Sequence, residues 1–263
     1  MELDERCPHW FVRGCRENFE YAKEEIPSQL PLRICWQYYQ NLVQQEEDAI
    51  IFNKDAEALA YGLRRFPALE RITITPAAHG WIFAPLYETP MIRAFPRGFN
   101  YPIPRGWPIH PHGDSTPEAC AWKLETTKRR FRGFCIVTHA LAQYAEHHVS
   151  ELIVDVNFLE TGINCRVFED DNHEYCDFAA LLRRPNFTRL DLTLLVGGQE
   201  RRAWRCYRSG LLHAALRDAK NLQRISLYTN VECDPAGDGT PPWVSGGFRA
   251  QFVSLRTVFP VDV

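Results

Sequence analysis

The stretch FAALLRRPNFTRLDLTL (178–194) decides the fold, because a helix-like segment leads into a strand-like segment and the phrase recurs along the chain. The closest copy is LHAALRDAKNLQRISLYT (212–229), and looser copies are ALAYGLRRFPALERITIT (58–75) and ALAQYAEHHVSELIVDVN (140–157). When the four copies are aligned, three sets of apolar residues share positions: Leu69, Val149, Phe187 and Leu222; Ile72, Leu152, Leu190 and Ile225; and Ile74, Val154, Leu192 and Leu227. A unit that recurs in this way buries its apolar face by stacking on its neighbours.

The spacing of the copies predicts the architecture. The first aligned position falls at 69, 149, 187 and 222, so the intervals are 80, 38 and 35 residues. Regular leucine-rich repeats are shorter, at about 20–29 residues, and two-helix repeats would not supply a strand after each helix. We therefore predict an α/β fold, an irregular leucine-rich-repeat-like solenoid with a curved, mainly parallel sheet and outer helices.

Two further segments complete the predicted organisation. Residues 1–50 are predicted to form an N-terminal helical cap, and residues 51–263 the irregular α/β repeat domain. Between 76 and 116 the sequence is rich in proline and aromatic residues, which disfavours regular helix and central strand. Disordered linkers contain fewer aromatic residues, so we expect an inserted loop that packs over the repeats. One continuous helix is expected near 201–219, before the fourth strand.

Bulk properties exclude several classes of protein. The net charge of −3 predicts no general attraction to nucleic acid or to an anionic membrane. The sequence contains no apolar run long enough to span a membrane, and its start is not a signal peptide. The nine cysteines include no Cys-x-x-Cys motif and are expected to be reduced, mostly buried thiols. We expect a cytoplasmic or nuclear protein with no membrane partner and no nucleic-acid partner.

The phrases DAEALAYGLRRFPALERITITPAAHG (55–80) and YETPMIRAFPRGFNYPIPRGWP (87–108), with the two units at 178–229, resemble the C-terminal region of uncharacterised fungal proteins related to the F-box and leucine-rich-repeat group. The resemblance covers most of residues 50–260 and includes no catalytic signature. It implies a protein-interaction scaffold, often an adaptor that presents substrates to a ubiquitin ligase.

The chain departs from that family at its N-terminus. An F-box opens with a Leu-Pro dipeptide before an apolar helix, and here Leu30–Pro31 precedes LRICWQYYQNL. The polar run QQEED follows, and the later helices do not fit. The ligase adaptor subunit is therefore an expected partner only if an F-box lies elsewhere. The end at Val263 suggests a shortened member of the family, because solenoids normally carry capping units.

Three clusters have side chains that suit a metal ion. His110, His112 and Asp114 lie in the proline-rich loop and form the basis of a second hypothesis, a metal-binding protein or enzyme. Cys165, His173 and Cys176 have zinc-type side chains without finger spacing, and the acidic run 169–174 lacks the glycine of a calcium loop. We favour ordinary loop and core residues in all three, and expect no cofactor or metal.

No catalytic or phosphate-binding motif occurs, so we expect no enzyme. The basic clusters 128–132 and 201–208 are interpreted as solvated helix faces. His147 and His148, at the end of a predicted helix, are interpreted as favourable positive charge at its C-terminus. A third hypothesis is a truncated gene product without function.

The leading hypothesis is a protein-interaction scaffold with two surfaces. The polar strand residues that lie between the buried positions would line the concave face of the sheet: Arg71, Thr73, Arg189, Asp191, Ser226 and Tyr228. The inserted loop would form the second surface through the residue types that dominate interface energies, aromatic rings and arginine: Trp81, Tyr87, Arg93 and Trp107.

Overall fold

The computed structural model describes residues 7–21, 29–80, 84–104, 106–108, 117–144, 146–157, 159–197, 205–230 and 253–254. Helices and strands alternate through most of this part of the chain. In order they are α1 His9–Tyr21, α2 Leu32–Ile51, α3 Lys54–Arg65, β1 Arg71–Ile74, α4 Pro90–Arg93, α5 Glu125–Arg130, α6 Arg132–Gln143, β2 Glu151–Val154, β3 Ile163–Asn164, a 3₁₀ helix Cys165–Phe168, α7 His173–Leu182, β4 Arg189–Leu195, α8 Arg205–Arg208, α9 Leu211–Asp218, β5 Arg224–Thr229 and β6 Val253–Ser254.

The strands form one mixed sheet of order β1-β2-β4-β5-β6, with β3 pairing to β4 beside the end of β2. The pairs β1–β2, β2–β4, β3–β4 and β4–β5 are parallel, and β6 is antiparallel to β5. Parallel neighbours need long crossover connections, and helices supply them here. The prediction of an α/β protein with a mainly parallel sheet is confirmed.

The register of the sheet follows the alignment of the repeated phrases. Ile72 pairs with Leu152, Leu152 with Leu190, and Leu190 with Ile225. Two residues further on, Ile74 pairs with Val154 and Leu192 pairs with Leu227. Equivalent positions of successive copies are therefore neighbours across the sheet, and they all point to the same side because side chains alternate along a strand.

This apolar side of the sheet forms the main core. Leu152, Leu190 and Leu192 are fully buried there, together with Phe134 of α6 and Phe178 of α7. Phe187 occupies the first aligned position of the repeat and is also fully buried. Deleting one such large side chain typically costs about 2–5 kcal/mol, so these positions hold the helices on the sheet.

A second core joins α1, α2 and residues 95–103. Phe11 and Cys35 are fully buried in it, and Phe99 and Tyr101 stack with ring centroids 4.7 Å apart. Tyr38 of α2 packs edge-on against Phe99 at 4.8 Å. The aromatic residues between 95 and 101 therefore build a core of their own around the N-terminal helices.

The contacts divide the chain into two compact units, one of Met1–Asp55 with Ala77–Arg105 and one of Ala56–Pro76 with Gly106–Val263. The first unit contains the second core, and the second unit contains the sheet. This grouping places residues 77–105 with the N-terminal helices, whereas the sequence predicted a cap over 1–50 and an insertion at 76–116 within the repeat domain. The short helix α4 begins at Pro90, where proline is tolerated because the first helical N–H needs no partner.

The helix expected near 201–219 is interrupted in the structure. Within the described residues it forms two helices, α8 and α9, separated by Ser209 and Gly210. Gly210 adopts the left-handed conformation with φ of +76°, which ends helical geometry at low cost only for glycine. The Ser209 hydroxyl accepts a hydrogen bond from the Leu211 N–H at 3.2 Å just before α9, whose N-cap is Gly210.

Candidate interaction surface

The sheet carries polar side chains on the side opposite the main core. Because the strands pair in register, these side chains form rows that run across the sheet. Together the rows are called the polar face. The first row is Arg71, Glu151, Arg189 and Arg224, the second is Thr73, Ile153, Asp191 and Ser226, and the third includes Thr193 and Tyr228.

A ladder of ion pairs crosses three strands of the polar face. The Arg71 Nε atom donates to Glu151 Oε2 at 2.6 Å, and Arg189 Nη1 lies 3.5 Å from the same oxygen. Arg189 also donates to Asp191 Oδ2 from Nη2 at 2.5 Å and from Nε at 3.1 Å. The hydrogen bonds to Asp191 raise the pKa of the Arg189 guanidinium above its usual value. Positive and negative groups therefore alternate from β1 to β4.

The ladder becomes more exposed toward the edge strand β1. The Arg71 side chain is 53% exposed, whereas those of Arg189 and Asp191 are 18% and 14% exposed. Thr73, next along β1, is also exposed. The second oxygen of Asp191, Oδ1, is buried and has no hydrogen-bond partner among the described residues. The inner end of the ladder is thus enclosed, and its outer end is open to a partner.

Two residues of the polar face are structural. Ser226 was predicted to belong to the interaction surface, but it is only 4% exposed. Thr193 is buried beside it and donates from its hydroxyl to the Val154 carbonyl of β2 at 3.0 Å. Ser226 is therefore not part of the surface that a partner could touch. Tyr228 is half-buried.

The four loop candidates have different environments. Tyr87 is 42% exposed, and the exposed Arg93 donates from Nε to the Glu88 carbonyl at 3.0 Å. Trp107 is 7% exposed and packs against Phe131 with ring centroids 5.5 Å apart. Trp107 is therefore a core residue and not part of the predicted surface, because its large apolar ring is buried against Phe131. Trp81 lies outside the described residues.

The metal-type clusters are not assembled where the structure describes them. Cys165 is buried, whereas His173 and Cys176 are exposed on α7. His110, His112 and Asp114 lie outside the described residues. Within the described ranges, no group of three or more His, Cys, Asp or Glu side chains is placed to hold a metal ion.

The acidic run 169–174 is engaged in ion pairs. Glu169 pairs with Arg166 at 3.0 Å, and Asp170 lies 3.3 Å from Lys123. Glu174 accepts from Trp122 Nε1 at 3.1 Å and lies 3.1 Å from Lys128 Nζ. The run thus connects α5 and the segment before it to the start of α7.

The basic clusters differ in how far the structure describes them. Lys128 forms an ion pair with Glu174. Arg129 and Arg130 of α5 are exposed, as expected of a solvated helix face. Arg205 and Arg208 of the second cluster are also exposed, and the residues before them lie outside the described part of the chain.

Sequence reasoning missed the residue that connects the ladder. Glu151 forms ion pairs with both Arg71 and Arg189, yet it is absent from the predicted surface. A usable signal was present in the alignment, because Glu151 occupies the repeat position held by arginine in the other three copies, including Arg224. A carboxylate between arginines at one repeat position predicts neighbouring opposite charges once the strands are known to be parallel and in register.

Comparison with known proteins identifies no relative: no protein-family model, curated protein or solved structure gives a significant match to this chain. Among the helices of the described part of the chain, none combines the length and the apolar character needed to cross a bilayer.

Proposed function

We propose that this chain is a protein-interaction scaffold of irregular, leucine-rich-repeat-like α/β units, and that it binds its partner through the polar face. The observation that carries the proposal is the ladder from Arg71 to Asp191, whose outer end is exposed on β1. Interfaces use arginine more than most charged residues, because its planar group forms several directed hydrogen bonds.

The shape of the unit supports this proposal. Helices cover the apolar side of the sheet, and Arg71 and Thr73 are exposed on the other side, where a partner would meet strand residues. A sheet that presents fixed side chains loses little conformational entropy when a partner binds. The resemblance to F-box and leucine-rich-repeat proteins extends the proposal to a substrate-recognition role for a ubiquitin-ligase adaptor.

Site-directed photo-crosslinking tests the proposed surface directly. A photoreactive residue at Thr73 would be compared with one at Arg217, an exposed position on α9 that pairs with Asp218 at 3.3 Å. The partner is expected to crosslink from position 73 and not from position 217. Mass spectrometry of the crosslinked products identifies the partner, and binding of the recombinant partner is then measured.

A charge-reversal pair provides the matched control. Arg71→Glu removes the exposed guanidinium of the ladder, and Arg217→Glu makes the same change on α9. Arg71→Glu is expected to weaken binding by about 10-fold or more, which is the effect of losing one charged interface contact. Equal crosslinking from both positions, or equal binding by both reversed variants when both are folded, would contradict the proposal.

A further inference from the structure

Strand β1 ends the sheet, and one of its two edges has no neighbouring strand within the described part of the chain. The hydrogen bonds to β2 show which backbone groups its other edge uses. The Glu70 carbonyl accepts from the Glu151 N–H at 3.0 Å. Four residues further on, the Ile74 carbonyl accepts from the Asp155 N–H, also at 3.0 Å. Because backbone groups point alternately to the two edges of a strand, the even-numbered residues of β1 face β2.

The backbone groups of Arg71 and Thr73 therefore point to the open edge. Each residue presents one N–H and one C=O there, and the described residues supply no backbone partner for them. An edge with unpaired donors and acceptors is a template for a further strand. A peptide that adds to a sheet in this way gains its affinity from main-chain hydrogen bonds and its specificity from alternate side chains.

The side chains of β1 define which strand would fit. On the polar face, the ladder ends in the positive charge of Arg71, which is 53% exposed and shares Glu151 with Arg189. An added strand would place side chains in the same rows, so a carboxylate beside Arg71 would continue the alternation of charge. On the opposite side, Ile72 and Ile74 are half-buried against the main core, and apolar side chains would complete their burial.

A second copy of β1 does not supply this pattern. Residues directly opposite each other in an antiparallel pair lie on the same face of the sheet. Two-fold pairing of β1 with itself would therefore place Arg71 opposite Arg71, Thr73 or Thr75. None of the three is a carboxylate, and the first brings like charges together. The charge on β1 favours a strand from a different chain.

We infer that β1 binds an extended acidic segment of a partner protein, which joins the sheet as a strand of alternating carboxylate and apolar side chains. The inference rests on the proposed function, because Arg71 and Thr73 belong to the polar face. It adds that the partner is recognised through its backbone as well as through its charge.

A synthetic peptide tests strand addition without knowledge of the natural partner. The probe is a fluorescent peptide of sequence Glu-Val-Glu-Val-Glu-Val-Glu-Val, and its binding to the full chain is followed by fluorescence anisotropy. One control has the same composition in two blocks, and the other has lysine in place of glutamate. We expect saturable binding of the probe and about 10-fold weaker binding of both controls, because neither presents carboxylate and apolar side chains on opposite faces.

Two variants of the chain test the role of its backbone. Thr73→Pro removes the outward N–H, and proline is tolerated at an edge strand where that N–H bonds no neighbour. Thr73→Ala removes the side chain and keeps the N–H. Thr73→Pro should weaken binding of the probe by about 10-fold, whereas Thr73→Ala should stay within about 3-fold of wild type. The Tm of each variant verifies that it is folded.

Backbone-methylated peptides keep the test independent of the proline variant. Only alternate residues of an added strand turn their N–H groups toward β1, so methylation of all Glu nitrogens or of all Val nitrogens should abolish binding in one case and spare it in the other. The inference is overturned if the probe does not bind, if both methylated peptides bind as well as the probe, or if folded Thr73→Pro binds it like wild type. A dimer of the chain that Thr73→Pro dissociates, seen by light scattering, would also overturn it.

Failure of the inference can be told apart from failure of the proposed function. If the crosslinked partner loses affinity for Arg71→Glu but binds Thr73→Pro normally, the polar face remains the binding surface and only strand addition is wrong. If the probe binds wild type and not Thr73→Pro while no partner crosslinks from position 73, strand addition holds and the scaffold proposal is wrong.

Discussion

His147 shows how a single residue joins two elements. It is 5% exposed and lies between the end of α6 and the start of β2. Its Nε2 atom donates to the Leu141 carbonyl at 2.9 Å, and its Nδ1 atom accepts from the Val149 N–H at 3.1 Å. Both contacts are satisfied by the neutral ring with its hydrogen on Nε2. Burial lowers the pKa of His147, the hydrogen bond to the Leu141 carbonyl opposes this, and the positive charge of Arg184 adds to the lowering.

The sequence interpretation of His147 as a favourable positive charge at a helix C-terminus is therefore wrong. A charged ring would lose the hydrogen bond from Val149, because a protonated Nδ1 cannot accept one. The positive charge near the last carbonyls of α6 comes from Arg184, whose Nη1 donates to Leu141 at 3.2 Å and to Tyr144 at 3.1 Å. The sequence pattern could not predict either hydrogen bond, because Arg184 lies after α7 and is far along the chain from α6.

The lowered pKa predicts how stability depends on pH. The unfolded chain binds a proton at His147 near the ordinary histidine pKa of about 6.5, and the folded chain resists that proton. Stability from this group is therefore complete above that value and is lost as the pH falls below it toward the folded-state pKa. Urea unfolding of wild type between pH 7.5 and pH 5 should show this loss.

Two substitutions separate His147 from the other titrating groups. His147→Gln does not titrate, so its unfolding free energy should be lower than wild type at neutral pH but should fall less on acidification. His148→Gln changes an exposed neighbour and should keep most of the wild-type slope. The same acid-dependent loss in His147→Gln and in wild type would count against this assignment.

At the scale of elements, the two-residue strand β3 depends on a close backbone approach. Gly162 precedes it, and a Cβ atom at this position would lie 2.5 Å from the Leu194 carbonyl carbon and 2.6 Å from the Leu195 nitrogen. These are backbone atoms of β4, so they cannot turn aside as a side chain would. The chain can re-enter the sheet beside β4 only because residue 162 has no side chain.

Gly162→Ala is therefore expected to destabilise the protein by about 1–3 kcal/mol, the usual effect of overpacking. The matched control is Gly133→Ala in α6, where a Cβ atom would meet nothing within 4 Å. Alanine favours helix over glycine by up to about 1 kcal/mol, so this variant should be neutral or stabilised. Thermal unfolding of the two variants compares the sites. An equal change of Tm in both variants would contradict the close backbone approach at residue 162.

At the scale of the whole molecule, each unit has its own core. The first surrounds Phe11 and Phe99, and the second lies between the sheet and helices α6, α7 and α9. Within the sheet, β4 is the central strand, since β2 and β3 pair with it on one side and β5 on the other. Its apolar residues Leu190, Leu192 and Leu195 are fully buried.

This position predicts the order in which amides exchange with solvent. Amides of β4 should exchange slowest, because opening them requires separation from strands on both sides and exposure of the main core. Amides of the edge strand β1 should exchange faster. Hydrogen–deuterium exchange with peptides from 189–195 and 71–74 measures both. Equal protection of the two strands would contradict the central placement of β4.

The repeated phrase predicted most of the sheet correctly. Alignment of Ile72, Leu152, Leu190 and Ile225 anticipated the register, because equivalent residues of stacked units become neighbours. The alternation of residues along the strands also identified the polar positions, but it did not predict which of these side chains are exposed. Ser226 and Trp107 were placed on the surface, and both are buried by contacts that depend on the third dimension.

The sequence by itself determined the α/β class, the parallel order of the repeated strands and the side of each strand that faces the core. Those properties follow from local periodicity and from repetition, which a single chain records directly. Only the tertiary structure decided that Glu151 joins Arg71 to Arg189, that Arg184 donates to the Leu141 carbonyl and that Gly162 lies against the backbone of β4. Each of these depends on distances between residues far apart in the chain, and such distances arise only when the elements pack.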